Sequence, residues 1–290
     1  MANFSLLQEL PALFTIITGL VGLMVGSFLN VVIYRLPVMM ENNWRRECHE
    51  FLEMAPAQEN PEIFNLLLPP SRCQHCYTKI RAYQNIPVIS YIVLGGKCAH
   101  CKASISIRYP VIETITGSVS AIIAWHFGFS FETLFALLLA WSLITLSTID
   151  IDHQLLPDSI TLPLLWLGLF LSLFQLFTDS HSSIIGAITG YLSLWIVYQS
   201  YKLMTGKKGM GYGDFKLLAL FGAWLGWQFI PVILLLSSLV GAIIGVSMIL
   251  LTTRDHRTPI PFGPYLAIAG WIALLWGDQI NRLYLHSVGL

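Results

Sequence analysis

Eight apolar runs divide this chain, near residues 12–34, 110–128, 131–149, 160–177, 184–203, 215–229, 230–252 and 263–284. A helix needs about 20 mostly apolar residues to cross a bilayer core, so the pattern predicts an all-α polytopic membrane protein with about eight transmembrane helices. Composition agrees: 55% of the 290 residues are hydrophobic and 11% charged, where a soluble domain carries about 25% charged residues. The stretch from Leu217 to Thr252 is too long for one crossing and has to fold back. Trp227-Gln228 is the expected turning point, because Trp favours the membrane interface. The first basic residue is Arg35, so the opening run lacks the positive flank of a cleaved secretory signal and is expected to stay as a span.

Sixteen Lys and Arg balance sixteen Asp and Glu, and no overall field draws the chain to nucleic acid. The distribution is informative instead. Nine Lys/Arg lie between Arg35 and Arg108, four between Lys202 and Lys216, and two more are Arg254 and Arg257, which leaves only Arg282 for the other side. Positive loops face the cytoplasm, so both termini are expected outside. Three parts are expected: a first transmembrane helix (1–34), a cytoplasmic loop domain (35–109) and a second transmembrane part (110–290). Glycines four apart at Gly22/Gly26, Gly186/Gly190, Gly222/Gly226 and Gly241/Gly245 are expected to let helix backbones approach closely.

The loop carries two CxxC pairs, Cys73/Cys76 and Cys98/Cys101, with 21 residues between them. That spacing matches a structural zinc site in which four thiolates close a tetrahedron. The alternatives are a redox pair or disulfides, which a cytoplasmic location disfavours. Cys48 is left over, and His75 and His100 are expected as exposed loop residues. Residues 41–62 are net −4 and residues 63–110 net +6. A basic metal module suits an anionic membrane surface, and the acidic segment suits a basic peptide. His49-Glu50-Phe51-Leu52-Glu53 begins like HExxH, but its fifth residue is Glu where a second zinc ligand must be His.

Ionisable groups at membrane depth are functional candidates by default, and here they are Glu113, Asp150, Asp152, Asp158 and Asp214. Asp158 and Asp214 each have an alternative role as helix N-caps. Asp150 ends an apolar run, where a carboxylate meets the negative end of the helix dipole at a cost of a few tenths to about 1 kcal/mol. On the expected topology Asp150 and Asp214 share the cytoplasmic depth. Two close carboxyls share a proton, one acting as base on a water and the other as acid toward a carbonyl, as in aspartic proteases. Gly211-Tyr212-Gly213-Asp214 adds glycines that leave the backbone open to an extended peptide.

These residues resemble the type IV prepilin peptidases, bifunctional leader peptidases and N-methyltransferases of pilus and type II secretion systems. The resemblance runs nearly end to end. It rests on Gly26-Ser27-Phe28-Leu29-Asn30-Val31-Val32 with Arg35-Leu36-Pro37, the four Cys, Arg108-Tyr109-Pro110 with Glu113, Ile149-Asp150 through Leu156-Pro157-Asp158, Gly211 to Asp214 with Lys216, and Pro261-Phe262-Gly263-Pro264. It implies that Asp150 and Asp214 are the catalytic pair of a bacterial inner-membrane enzyme. That enzyme cuts the short basic leader of prepilins and pseudopilins on the cytoplasmic side, typically between Gly and Phe. It also implies methylation of the new N-terminus with S-adenosylmethionine. No glycine-rich nucleotide loop after a strand is present, so the resemblance alone carries that activity. By elimination the room for it lies in the loop and its junctions with the first two helices, where Glu113 is a candidate to meet the cationic cofactor. Asp152 and Asp158 are expected beside the pair, and Gly211, Gly213 and Lys216 near the substrate.

Two other classes are open. A proton-coupled transporter also uses paired intramembrane Asp and Gly-interrupted helices, but here the acids cluster at one edge and the loop spacing shows no inverted repeat. A non-enzymatic metal-binding scaffold predicts that Asp150→Asn and Asp214→Asn are silent.

Overall fold

The computed structural model describes residues 10–53, 64–207, 209–251 and 261–288. Glu59, Glu62, Lys208, Arg254 and Arg257, used above to argue charge, lie outside the described residues. The described residues form α-helices joined by loops, with no strand among them, only isolated bridges pairing Arg72 with Lys79 and Lys97 with Ser104. The contacts divide the chain into two compact units, Met1–Thr133 and Leu134–Leu290. The second apolar helix therefore belongs to the first unit, whereas the sequence pattern groups it with the later helices.

In the first unit, α1 spans Pro11–Phe51 and α3 spans Arg108–Phe127, and between them lie a 3-10 turn, Ala82–Asn85, and a short α2, Ile89–Val93. The expected end of the first helix at residue 34 is corrected: α1 runs on for more than four further turns, through Pro37. Beyond that proline, Glu41, Arg45, Arg46, Glu47 and Glu50 are strong helix formers, and Glu41 accepts from Arg45 one turn away at 2.6 Å. The packing of α1 on α3 uses the predicted small residues. A Cβ on Gly26 would lie 2.8 Å from the Glu113 Cα, and one on Gly22 would lie 3.0 Å from the Gly117 Cα. Two buried polar residues of α1 tie the unit together. The Asn30 amide donates to the Gly26 and Tyr109 carbonyls, both at 3.2 Å. The Arg35 guanidinium donates to the Asn65 carbonyl at 2.9 Å and the Pro69 carbonyl at 2.6 Å, with the Phe64 ring beneath it. A buried charge needs such partners.

The second unit begins in the first turn of α4, Phe131–His153, and continues through α5 (Asp158–Ser172), α6 (Ser180–Thr205), α7 (Tyr212–Leu225), α8 (Ile230–Leu251) and α9 (Gly263–Val288). Its centre is α7, buried along nearly its whole length from Asp214 to Leu225 and flanked by α5, α6 and α9. Gly186 and Gly190 on α6 meet the α7 backbone. A Cβ on Gly190 would stand 2.6 Å from the Leu218 carbonyl, and one on Gly186 would clash with that of Gly222. The chain breaks at Gly226, in the left-handed region with φ +91°, and passes through the 3-10 turn Trp227–Phe229 into α8. The turn falls where the over-long apolar run has to fold back.

Three described stretches are long and apolar enough to cross a membrane, Pro11–Phe51, Phe131–His153 and Trp227–Ser247, and α5 is a shorter apolar helix of 15 residues. Large apolar side chains stay exposed on these helices, among them Met24, Leu134, Trp166, Phe170, Leu235 and Leu239. Such a surface needs lipid. The protein is a membrane protein.

Candidate active site and metal centre

In the second unit the last turn of α4 and the first turn of α7 each contribute one buried carboxylate, Asp150 and Asp214. The two lie within electrostatic reach of one another. The sequence left Asp150 at the wrong end of its own helix, and the structure supplies the compensation. Its Oδ2 accepts the N–H of Gly263 at 3.0 Å, and Gly263 opens α9, so the positive end of a second helix faces the carboxylate. Asp214 is the third residue of α7, not its N-cap. Gly211 holds the cap position, and the Asp214 carboxylate accepts the Gly211 N–H. Each acid is thus gripped by the backbone at a helix start.

Leu156 fixes the space between these grips. A Cβ on Gly213 would lie 2.7 Å from the Leu156 Cβ, and one on Gly263 would lie 3.2 Å from its Cδ2 and 2.6 Å from the Asp150 Oδ2. Gly213 therefore serves packing instead of leaving the backbone open. Gly211 is exposed in extended conformation, and its added Cβ would make only an ordinary 3.7 Å contact with Asp214. Asp158 is likewise not an N-cap. Pro157 takes that position, and Asp158 accepts from the Lys216 ammonium with both oxygens at 2.7 Å. That pair clamps the start of α5 to the first turn of α7. Asp152, one residue before the end of α4, is exposed.

In the first unit the four cysteines converge, with their Sγ atoms all within 4.8 Å of one another. Cys73 and Cys101 are 3.8 Å apart, close to the edge of a tetrahedron with metal–sulfur bonds of about 2.3 Å. The donor set fits a thiophilic metal ion. Two matching knuckles build it. Tyr77 and Lys102 each follow the second Cys of a pair, adopt φ of 56° and 59°, and return their N–H to the carbonyl of the first Cys at 2.9 and 3.1 Å. The Thr78 hydroxyl beside Cys76 holds that thiol down at about 6, and the Cys101 N–H lowers the thiol of Cys98. At Cys101 the Ala103 N–H acts downward too, but burial and the neighbouring thiols outweigh it and push that thiol up to about 11. Four sulfur donors brought this close together suit a single cation. His75 and His100 are exposed, as is Cys48.

Glu113 is buried on α3, where it accepts the Val88 N–H at 2.7 Å and a hydrogen bond from Ser27. Val88 has φ +60°, costly for a β-branched residue, and the Glu113 contact holds it there. Beside Ser27 lies a cavity of about 260 Å³ lined by Met24, Ser27, Phe28, Val31, Asn85 and Pro87.

The sequence shows no contact for Gly263, Leu156, Asn30 or Arg35, although each stands in one of the motifs that carry the resemblance. A glycine before Pro264 at a helix start was the available signal for Gly263, since it keeps its N–H free.

Comparison with known proteins decides the family. The Bacterial Peptidase A24 N-terminal domain matches residues 20–127 and the Type IV leader peptidase family matches residues 137–246. A Stutzerimonas stutzeri protein named prepilin leader peptidase/N-methyltransferase is 56% identical over 290 residues, covering 100% of both chains. The chain belongs to the type IV leader peptidase family. Family relatives of the same name from Pseudomonas aeruginosa and Legionella pneumophila are 57% and 46% identical, over 96% and 97% of this chain and 96% and 98% of their own. No solved structure matches the chain. The two family domains fall one in each compact unit, with the cysteines and Glu113 in the first and both aspartates in the second.

Proposed function

We propose that this leader-peptidase family member cleaves the short basic leader from type IV prepilins and pseudopilins and then N-methylates the new N-terminal residue. It would do so at the cytoplasmic face of a bacterial inner membrane, crossing the bilayer about eight times and serving pilus assembly and type II secretion. The observation that carries the reading is the buried pair Asp150 and Asp214. Their shared proton lets one carboxylate take a proton from water while the other protonates the scissile carbonyl. As the tetrahedral intermediate collapses the C–N bond breaks, and the leaving amine takes up a proton. Lys216 and Asp158 hold the two helix starts in place, Gly211 leaves room for the peptide, and Asp152 stands beside the pair.

S-adenosylmethionine supplies the methyl group when bound. On this chain Glu113 is the negative group suited to a sulfonium cation, next to the cavity beside Ser27. Zinc suits the four thiolates, with Cys73, Cys76, Cys98 and Cys101 as ligands in a structural role. The loop spacing shows no inverted repeat, which favours an enzyme over a transporter.

The test is incubation of purified protein in detergent with a prepilin and S-adenosylmethionine, and then mass spectrometry of the product N-terminus. Wild type is expected to release the leader and add one methyl group. Asp150→Asn and Asp214→Asn are expected to express normally and leave the prepilin intact. Retained cleavage in both variants would overturn the reading.

A further inference from the structure

A cavity of about 520 Å³ opens in the second unit between α6, α8 and the start of α9. Its size lies within the range of ligand-binding clefts, and it is continuous with the segments that hold both aspartates. Met210 in its wall immediately precedes Gly211, whose N–H reaches Asp214, and Phe262 immediately precedes Gly263, whose N–H reaches Asp150. The opposite walls are Leu194 and Val197 of α6 and Ala242 of α8. Gly241 keeps it open toward α9, since a Cβ there would lie 3.2 Å from the Tyr265 ring. None of the lining residues is charged.

We infer that this cleft is the substrate-specificity site of the peptidase, binding large apolar side chains of the polypeptide just after the scissile bond. The inference rests on the proposed peptidase function. Two arguments fix the occupant. A cleft whose walls include Met210 and Phe262, the residues next in the chain to Gly211 and Gly263, receives residues adjoining the bond being cut. A wall without a carboxylate offers nothing to a basic leader, so the apolar segment beyond the bond is the part that fits. The volume accommodates an aromatic ring, which buries 150–250 Å² when enclosed, together with part of its neighbour.

The experiment places a benzophenone side chain at the first or third residue after the scissile bond of a prepilin. The labelled prepilin is bound to the full-length Asp214→Asn protein in lipid nanodiscs, and the adducts are mapped by mass spectrometry. Adducts on Leu194–Val197 or Ser238–Ala242 are expected. In parallel, Ala242→Trp in the otherwise wild-type chain fills the cleft. It is expected to lower kcat/KM at least about tenfold for a substrate with Phe after the bond, and less than about threefold for one with Ala there. If wild type cleaves the labelled prepilin but its adducts all fall outside the cleft, the inference fails while the peptidase reading stands. If wild type cleaves no prepilin, that reading fails and takes the inference with it. Cleft labelling by a photoactivatable acyl-chain lipid that substrate does not diminish would also overturn it, marking a lipid site.

Discussion

Gly263 shows how one missing Cβ sets the chemistry of a carboxylate. Its N–H is the hydrogen bond given to Asp150, and the space its side chain would take is already filled by the Asp150 Oδ2 and by Leu156. Alanine there has to displace the acid or the leucine, a misfit of the kind that costs about 1–3 kcal/mol. Gly263→Ala is therefore expected to reduce kcat/KM at least about tenfold, while Gly211→Ala, with its ordinary 3.7 Å contact, stays within about threefold. Steady-state cleavage assays on both variants, with circular dichroism as the folding control, check the order. Equal effects would mean that Gly263 is not what aligns Asp150. The sequence marks Asp150 as anomalous because the apolar run visibly ends there. It offers no view of what answers the anomaly, since Gly263 is 113 positions further along the chain and a turn glycine before proline reads the same whether or not its N–H has a partner.

At the scale of elements, two connections do more than link helices. The first, Leu156-Pro157-Asp158, wedges its leucine against Gly213 and Gly263 and clamps its aspartate to Lys216. These contributions differ in kind. Leu156 is buried and Asp158 about half-exposed, so the wedge rests on packing and the clamp on a solvent-screened ion pair worth about 0–1 kcal/mol. Leu156→Ala is expected to lower kcat/KM at least about tenfold and Asp158→Asn less than about threefold. The reverse order in the same cleavage assay would assign the alignment to the ion pair. The second connection is the cysteine loop, too small to bury a core and built on two knuckles with left-handed Tyr77 and Lys102. Its fold is expected to depend on the metal. Purified protein should carry about one zinc per chain, and chelation should expose the segment 64–107 to protease while the helical circular dichroism signal stays nearly unchanged. Elemental analysis that finds no metal would dismiss the site. The ligand set is legible in the sequence because its spacing is local. The end of α1 is not, because apolar periodicity stops near residue 34 while helix propensity carries the backbone on to Phe51.

For the molecule as a whole, the charge pattern outlasts any one contact. The helical tail of α1 exposes Glu47 and Glu50, and the turn after it Glu53, beyond the paired Glu41 and Arg45, as part of an acidic segment in a chain whose net charge is zero. Exposed charges of one sign attract an oppositely charged ligand over about one Debye length, near 8 Å at physiological salt and longer in dilute buffer. Their effect falls mainly on encounter with the ligand, not on the chemical step. A basic leader is thus expected to show a KM that rises with ionic strength while kcat holds. Replacing Glu47, Glu50 and Glu53 with Gln should raise the low-salt KM and flatten its salt dependence, because the steering field is gone and there is less left to screen. The control is a leader whose lysines and arginines are neutralised, which should be indifferent to both salt and the Gln substitutions. A KM for basic leaders that the three substitutions leave unchanged would return these glutamates to the role of a solvated helix surface.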